Sequence, residues 1–258
     1  MSDINNSELP EVRRKIILEQ LQRDGMVLTN TLTDQFAVSE DSIRRDLREL
    51  AKAGQLLRVH GGALPIAPAV KNFQKNAFDN PHAQIHVAKA AANLLENNQV
   101  IFFDGGTTTL EISRHLNPAI CATAITISPQ TSIVLSSYHN LEVIMIGGRM
   151  NAQSLTTEGA SVMQQISEVR ADVCFLGVCS LHPKIGLTTL DYEEAQVKRA
   201  FVNASSDIIA VVTADKMGTV VPYDVCSLEQ ISHLVTEQSI TEENLAPYRK
   251  AGIEIILA

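Results

Sequence analysis

The stretch VIFFDGGTTTLEIS, residues 100–113, decides the fold of the larger part of the chain. Its first four residues are apolar and predict a short strand that is buried on both faces. Asp104 and two glycines follow, and a helical pattern starts in the threonines at 107–109. Such a turn forms a cradle for an anion, because backbone N–H groups, hydroxyls and the helix dipole favour negative charge there. A tight turn in which the threonines cap the helix explains the same residues equally well.

Runs of the same kind recur along residues 85–258 and alternate with helical segments. The predicted strands are VIFF, AITI, LEVIMI, ADVCFLGV, DIIAVV, SHLV and IEIIL. The predicted helices between them are EISRHL, PQTSIVLSS, GASVMQQISEV and DYEEAQVKRAFVNA. This alternation predicts an α/β domain with a Rossmann-like, mostly parallel sheet.

Ligands bind at the carboxyl ends of the strands in sheets of this type, so polar residues that follow the strands are candidate ligand contacts. Asp104 would repel a phosphate but could accept a sugar hydroxyl. For Lys198, on the helix after the loop GLTT, a ligand and solvent are equally open as surroundings of the amine. The candidate contacts are Asp104, Gly105, Gly106, Thr107, Thr108, Thr109, Ser128, Gly147, Gly148, Lys198 and Lys216.

Residues 10–62 instead show short helices. The segment PEVRRKIILEQLQRDG predicts a first helix that ends at Gly25, with an apolar face formed by Val12, Ile16, Ile17 and Leu21. The segment TLTDQFA predicts a short second helix.

A third helix and a wing follow. Ser39 is suited to cap the third helix, and QLLRV followed by HGGAL predicts a strand and a Gly-Gly turn. The apolar stripe of the third helix consists of Ile43, Leu47, Leu50 and Ala51, and its other side carries Asp41, Arg45, Arg48 and Lys52, with Arg44 at the border.

These elements form a winged helix-turn-helix, in which the third helix enters the major groove of DNA. Taken alone, the arginines would indicate only a solvated helix face. Their place on a capped third helix after a tight turn favours a recognition helix instead. The candidate DNA contacts are Ser39, Ser42, Arg44, Arg45, Arg48, Arg58, His60 and Gly61.

Charge limits how the chain binds DNA. The formal net charge is −8, which excludes a global attraction to nucleic acid or acidic membranes. Residues 1–65 hold nine Lys or Arg and ten Asp or Glu, so their formal charge is 9 − 10 = −1. Such a module binds phosphates modestly, and paired recognition helices read paired half-sites, so we expect a homo-oligomer. Dimer and tetramer remain open.

Length and composition indicate an ordinary globular protein. Its 258 residues are 45% apolar and 19% charged. The predicted division is a DNA-binding domain at 1–65, a linker at 66–84 and an α/β domain at 85–258.

The four cysteines show no C-x-x-C spacing, and we expect reduced thiols, no cofactor and no metal. No apolar run is long enough to span a bilayer, so a cytoplasmic protein without membrane contact is expected.

The chain as a whole resembles a known family. SEDSIRRDLREL with LLRVHGGAL resembles the DNA-binding module of DeoR-family bacterial transcriptional regulators, and DGGTTTLEISRHL, IGGRM, GLTTLDYEEAQVKRA and DKMG resemble their sensor domain. The resemblance covers nearly the whole chain from about residue 10. It implies a repressor of sugar-metabolism genes, not an enzyme. The implied sensor domain is similar to sugar-phosphate isomerases and CoA transferases and senses a phosphorylated sugar.

The resemblance also implies roles for single residues. Residues 104–109 would form the phosphate loop, Gly147 and Gly148 part of the pocket wall, and Lys198 and Lys216 further polar contacts. Family members often show Thr-Asn-Ser, Gly-x-Asp-Gly and Asp-Ser-Ser-Lys where this chain has TIS at 126–128, GVCS at 177–180 and TADK at 213–216. These changes alter the hydrogen bonds offered to sugar hydroxyls, so we expect an effector different from the common ones.

Two other functions stay open from the sequence. A sugar-phosphate isomerase would need a carboxylate for proton transfer, with Asp104, Glu193 and Glu194 as candidates. A winged domain that binds protein instead of DNA is disfavoured by the exposed arginines. The sequence does not specify the sugar, the operator, or whether the effector weakens or strengthens DNA binding.

Overall fold

The computed structural model describes residues 10–59, 61–65 and 81–258. The predicted DNA contact His60 lies outside the described residues, as do residues 1–9 and residues 66–80 of the predicted linker. The first helix after residue 80 begins at Pro81.

The amino-terminal unit is a winged helix-turn-helix, as predicted. Its helices are α1 (Pro10–Asp24), α2 (Thr29–Phe36) and α3 (Glu40–Lys52), and its strands are β1 (Val27–Leu28), β2 (Leu57–Val59) and β3 (Gly62–Leu64). The strands pair antiparallel in the order β1-β3-β2. The two-residue β1 was not predicted, because so short a segment shows no alternation of apolar and polar residues.

The turn between α2 and α3 sets the direction of α3. Ala37 adopts a left-handed conformation at φ 51°. The Ser39 hydroxyl accepts a hydrogen bond from the backbone N–H of Ser42 at 3.3 Å, so Ser39 caps α3 as predicted. The core of the unit includes Ile17, Leu21, Leu32, Phe36, Ile43, Leu47 and Leu50.

The buried face of α1 differs from the prediction. Val12 is 40% exposed, whereas Arg13 is only 6% exposed. The buried stripe therefore runs through Arg13, Ile17 and Leu21 at i, i+4 and i+8. The charged residue is buried because its guanidinium forms an ion pair inside the unit.

The second unit contains a seven-stranded parallel sheet, and all seven strands coincide with predicted apolar runs. They are β4 (Val100–Phe103), β5 (Ala122–Thr126), β6 (Leu141–Met145), β9 (Ala171–Gly177), β12 (Ser205–Val211), β14 (His233–Thr236) and β15 (Glu254–Leu257). The strand order is β15-β14-β12-β9-β4-β5-β6, and every neighbouring pair is parallel. The carboxyl ends of the strands therefore lie along one edge.

Helices cover both faces of this sheet. On one face, α4 (Pro81–Ala92), α5 (Thr107–Arg114) and α6 (Pro129–Leu135) bury Val87, Ile112 and Leu135. On the other face, α7 (Ala160–Ser167), α8 (Tyr192–Asn203) and α9 (Glu242–Lys250) bury Val162, Phe201 and Tyr248. Burial from both sides explains why the strands are nearly continuous apolar runs.

Two small antiparallel sheets were not predicted. In one, β7 (Arg149–Asn151) pairs with β8 (Thr156–Glu158). The other has the order β10 (Ser180–His182), β11 (Gly186–Thr189) and β13 (Tyr223–Cys226). These strands are short and of mixed polarity, so no apolar run marks them.

All four cysteines are free thiols. Burial raises the pKa of Cys179 to about 11 and that of Cys226 to about 12, so both stay protonated at neutral pH. In the described part of the chain, no helix has the length and apolar character needed to cross a membrane.

Candidate functional site

The turn after β4, residues 104–109, is joined to the neighbouring strand β9 through Asp104. The Asp104 side chain accepts a hydrogen bond from the backbone N–H of Gly177 at 2.9 Å. Its own backbone N–H donates to the carbonyl of Phe175 at 3.1 Å. Asp104 is 1% exposed, so its carboxylate is an internal group of the turn.

Lys198, on α8, lies directly against this carboxylate. Its ammonium donates to Asp104 and, at 2.9 Å, to the carbonyl of Gly177, and it forms an ion pair with Glu194 at 3.3 Å. Three acceptors match the three N–H groups of an ammonium. Burial opposes the charged form, but Asp104 and Glu194 outweigh it and raise the pKa of Lys198 above its ordinary value. Lys198 is 2% exposed, so it does not face solvent.

The threonines of the turn do not cap the helix. The N-cap of α5 is Gly106 at φ 103°, and no side chain caps the helix at this residue. Thr109 donates to the carbonyl of Gly106 at 2.9 Å. Gln84, on α4, donates to the hydroxyls of Thr107 and Thr108 at 3.0 and 3.1 Å. The first N–H groups of a helix have no intrahelical partner, so this end can receive an anion.

The hairpin of β7 and β8 closes one side of the turn. A Cβ added to Gly105 would overlap Cγ2 of Thr156. Glu158 accepts hydrogen bonds from Arg149 at 2.6 Å and from Asn151 at 2.9 Å. Across the hairpin, Arg149 pairs with Glu158 and Asn151 pairs with Thr156. The side chains of cross-strand partners point to the same side of a hairpin. The face that meets the turn is therefore polar.

Sequence reasoning did not select Gln84, Asn151 or Thr156 as site residues. Gln84 lies in a helix outside the strand-to-turn motif, and the other two lie in a hairpin without an apolar run. Among the candidate contacts, only Gly147 and Gly148, directly before Arg149, pointed towards this hairpin.

The remaining candidate ligand contacts lie along the same edge. Ser128 caps α6, and Gly147 and Gly148 follow β6. Lys216 lies in a 3-10 turn, Ala214–Lys216, after β12. Four strand spacings separate β12 from β6, which is about 19 Å at the usual distance between strands. A ligand the size of a sugar reaches only a subset of these residues.

The outer side of α3 carries positive charge. Arg45 and Arg48 are exposed, and so is Arg58 on β2. None of these three arginines forms an ion pair with another residue that the structure describes. Arg44 is also exposed but is bound to Glu40 at 2.7 Å. Gly61, at φ 80°, supplies the turn between β2 and β3.

A buried ion cluster fixes α3 against α1. Asp46 is 1% exposed and binds Arg13 at 2.5 Å and Arg14 at 3.0 Å. This cluster was not predicted, because the charged run around Asp46 looks like a solvated surface in the sequence. It holds α3 from the side opposite to its exposed arginines.

Comparison with known proteins matches both units. The DeoR-like helix-turn-helix domain matches residues 13–68, and the DeoR C terminal sensor domain matches residues 79–238. The HTH-type transcriptional regulator GolR of Listeria innocua is 29% identical over 96% of this chain and 99% of its own. The glycerol-3-phosphate regulon repressor of Escherichia coli is 27% identical over 87% of this chain and 90% of its own. The HTH-type transcriptional repressor GlcR of Bacillus subtilis is 25% identical over 96% of each chain.

Solved structures show weaker likeness. Ribose 5-phosphate isomerase A from Methanocaldococcus jannaschii aligns with a TM-score of 0.38 at 15% identity, over 52% of this chain and 53% of that chain. The eIF2B delta subunit from Chaetomium thermophilum aligns with a TM-score of 0.42 at 12% identity, over 86% of this chain and 71% of that chain. The assignment rests on the two domain matches, which cover both units. This chain belongs to the DeoR family.

Proposed function

We propose that the protein is a DNA-binding transcriptional repressor of sugar-metabolism genes that responds to a phosphorylated sugar. The observation that carries the proposal is the pair Arg45 and Arg48 on α3. Both side chains are exposed and form no ion pair with another described residue. Asp46, on the opposite side of α3, binds this helix to α1. A recognition helix presents such side chains to the major groove. The repressors among the relatives support the direction of control.

The effector binds at the turn of residues 104–109. Gly106 and Thr107 are exposed at the start of α5, where backbone N–H groups and the helix dipole favour a phosphate. Lys198 offsets the charge of Asp104, so the turn does not repel an anion as an isolated aspartate would. The polar hairpin face beside Gly105 offers hydrogen-bond partners to sugar hydroxyls.

The proposed function excludes turnover. Asp104 and Glu194 are two of the carboxylates that an isomerase could use, and both are bound to Lys198. The protein acts in the cytoplasm as a homo-oligomer, since a weakly charged module needs a second recognition helix for tight binding.

Mobility shift with the DNA upstream of the protein's own gene, at defined salt, tests the proposal. Arg45→Ala and Arg48→Ala are each expected to lower the affinity about ten- to a hundredfold, the range of one base contact. Lys15→Ala is the matched control, because this lysine is 80% exposed on α1 and its loss removes the same charge.

The effector is sought in the same assay with inorganic phosphate, glycerol 3-phosphate and further sugar phosphates. Release or tightening of the DNA by one of them identifies the effector and the sign of its action. An equal loss of affinity in Lys15→Ala would assign binding to overall charge rather than to α3. No shift at any salt would overturn the proposal.

A further inference from the structure

Among the residues that the structure describes, two hydrogen bonds connect the helix-turn-helix unit with the sensor domain. Nε2 of His182, on β10, lies 3.2 Å from the carbonyl oxygen of Gly25 at the end of α1. The backbone N–H of Val220 donates to the carbonyl of Pro65, directly after β3, at 3.1 Å. His182 is 2% exposed and Val220 is 3% exposed, so both donor residues are buried.

The partners of His182 define which ring nitrogen donates. The backbone N–H of Lys184 donates to Nδ1 at 3.2 Å, so Nδ1 carries no proton. The neutral ring then carries its proton on Nε2 and donates it to Gly25. Burial lowers the pKa of His182, which favours this neutral form.

Both acceptors are linked to the recognition helix. Gly25 follows α1, which the cluster around Asp46 joins to α3. Pro65 follows β3, which pairs with β1 in the same sheet as the wing. A shift of either donor is therefore passed to an element that supports α3.

Both donors belong to one hydrogen-bonded unit, residues 180–189 and 214–221, which we call the coupling unit. The N–H of Gly218 donates to the carbonyl of Leu181 at 2.8 Å. The N–H of Val221 donates to the hydroxyl of Thr188 at 3.0 Å. These bonds join the two segments, so they move together.

The other end of the coupling unit reaches the proposed effector site. Lys216 is one of the proposed contacts, and its carbonyl accepts a hydrogen bond from Thr219 at 2.7 Å, one residue before Val220. On the segment of residues 180–189, Thr189 lies two residues before Asp191. Asp191 caps α8, the helix that carries Lys198.

We propose that the coupling unit transmits effector occupancy to the DNA-binding unit through the His182–Gly25 and Val220–Pro65 hydrogen bonds. The inference rests on the proposed function and names the route of its regulation. An effector that displaces Lys216 or the Lys198 pair shifts the coupling unit, and thermodynamic linkage requires bound DNA to act on it in return.

Hydrogen–deuterium exchange of the full chain tests this route in four states: alone, with upstream DNA, with inorganic phosphate and with glycerol 3-phosphate. In the wild type, DNA is expected to slow exchange at 180–184 and 216–221 about two- to tenfold, the range that one hydrogen bond provides. A phosphate that protects residues 104–110 is expected to change exchange at 21–28.

Variants separate the route from general stability. His182→Phe removes the donor and retains a ring, so protection at 104–110 is expected to persist while the response at 21–28 weakens at least about twofold. His182→Gln retains an N–H donor and is expected to restore the response. His233→Phe, the same change elsewhere in the sensor domain, is the control.

Three outcomes are informative. A wild-type coupling unit that does not respond to DNA overturns the inference, whether or not the variants fold. An unchanged response at 21–28 in His182→Phe also overturns it. Lack of protection at 104–110 with every phosphate contradicts the proposed effector site instead, and the DNA experiment still decides the coupling.

Discussion

At Asp46, a carboxylate that is 1% exposed is bound to two arginines of α1. A buried charge is tolerated only when it is paired and hydrogen-bonded, and removal of one partner leaves the other uncompensated. Arg13, at 7% side-chain exposure, would lose its carboxylate partner inside the unit, whereas Arg14, at 31%, could turn towards water.

Asp46→Ala is therefore expected to destabilise the helix-turn-helix unit by about 3–5 kcal/mol. Asp41→Ala on the exposed side of α3 removes the same charge and is expected to cost less than about 1 kcal/mol. Urea unfolding monitored in this unit measures both values. Equal losses would show that the buried cluster contributes no more than a surface charge.

At the scale of elements, the turn of residues 104–109 and the β7–β8 hairpin fit only because residue 105 lacks a side chain. The Cβ of an alanine there would overlap Thr156, while Gly147, after β6, has no atom within 4 Å of an added Cβ. The contact joins the predicted turn to a hairpin that the sequence did not predict.

Gly105→Ala is expected to destabilise the sensor domain by about 1–3 kcal/mol, because overpacking displaces the hairpin. Adding Thr156→Ser removes the methyl group in conflict and is expected to restore part of this loss. Gly147→Ala is the control and is expected to be neutral. Denaturant unfolding of the sensor domain measures the free energy of unfolding of Gly105→Ala, Thr156→Ser and the double variant. If the losses of the two single variants simply add up in the double variant, the contact between residues 105 and 156 is contradicted.

For the whole molecule, folding favours the neutral form of His182, the residue that contacts Gly25 of the other unit. Burial lowers the pKa of this residue in the folded state below its ordinary value of 6.5. As the pH falls, His182 therefore binds a proton at a higher pH in the unfolded chain than in the folded protein. Stability from the neutral ring is complete above 6.5 and decreases as the pH falls from 6.5 towards the lower folded pKa.

The wild type is accordingly expected to lose more stability than His182→Gln when the pH is lowered from about 7.5 to about 5.5. His139→Gln, at an exposed position, removes a histidine without removing a contact between the units and serves as control. Thermal unfolding across this range measures the difference. Identical pH profiles of wild type and His182→Gln would show that His182 is not held in its neutral form.

Local pattern was sufficient for the strands of the large sheet and for the cap of α3. Seven apolar runs became the seven strands of one parallel sheet, and Ser39 caps α3 as its place before that helix predicts. Such features depend on neighbours a few residues away, so periodicity and capping preference record them. The turn of residues 104–109 was found for the same reason, since strand, glycines and helix follow each other directly.

The two units, the parallel sheet and the turn of residues 104–109 follow from the sequence alone. The pairing of Asp104 with Lys198, 94 positions away, and of His182 with Gly25, 157 positions away, is seen only in the folded chain. The tertiary structure also decided that Asp46 is buried while Arg45 and Arg48 are exposed. These outcomes depend on which distant groups meet after folding, and a charge or a donor carries no local sign of the partner that will satisfy it.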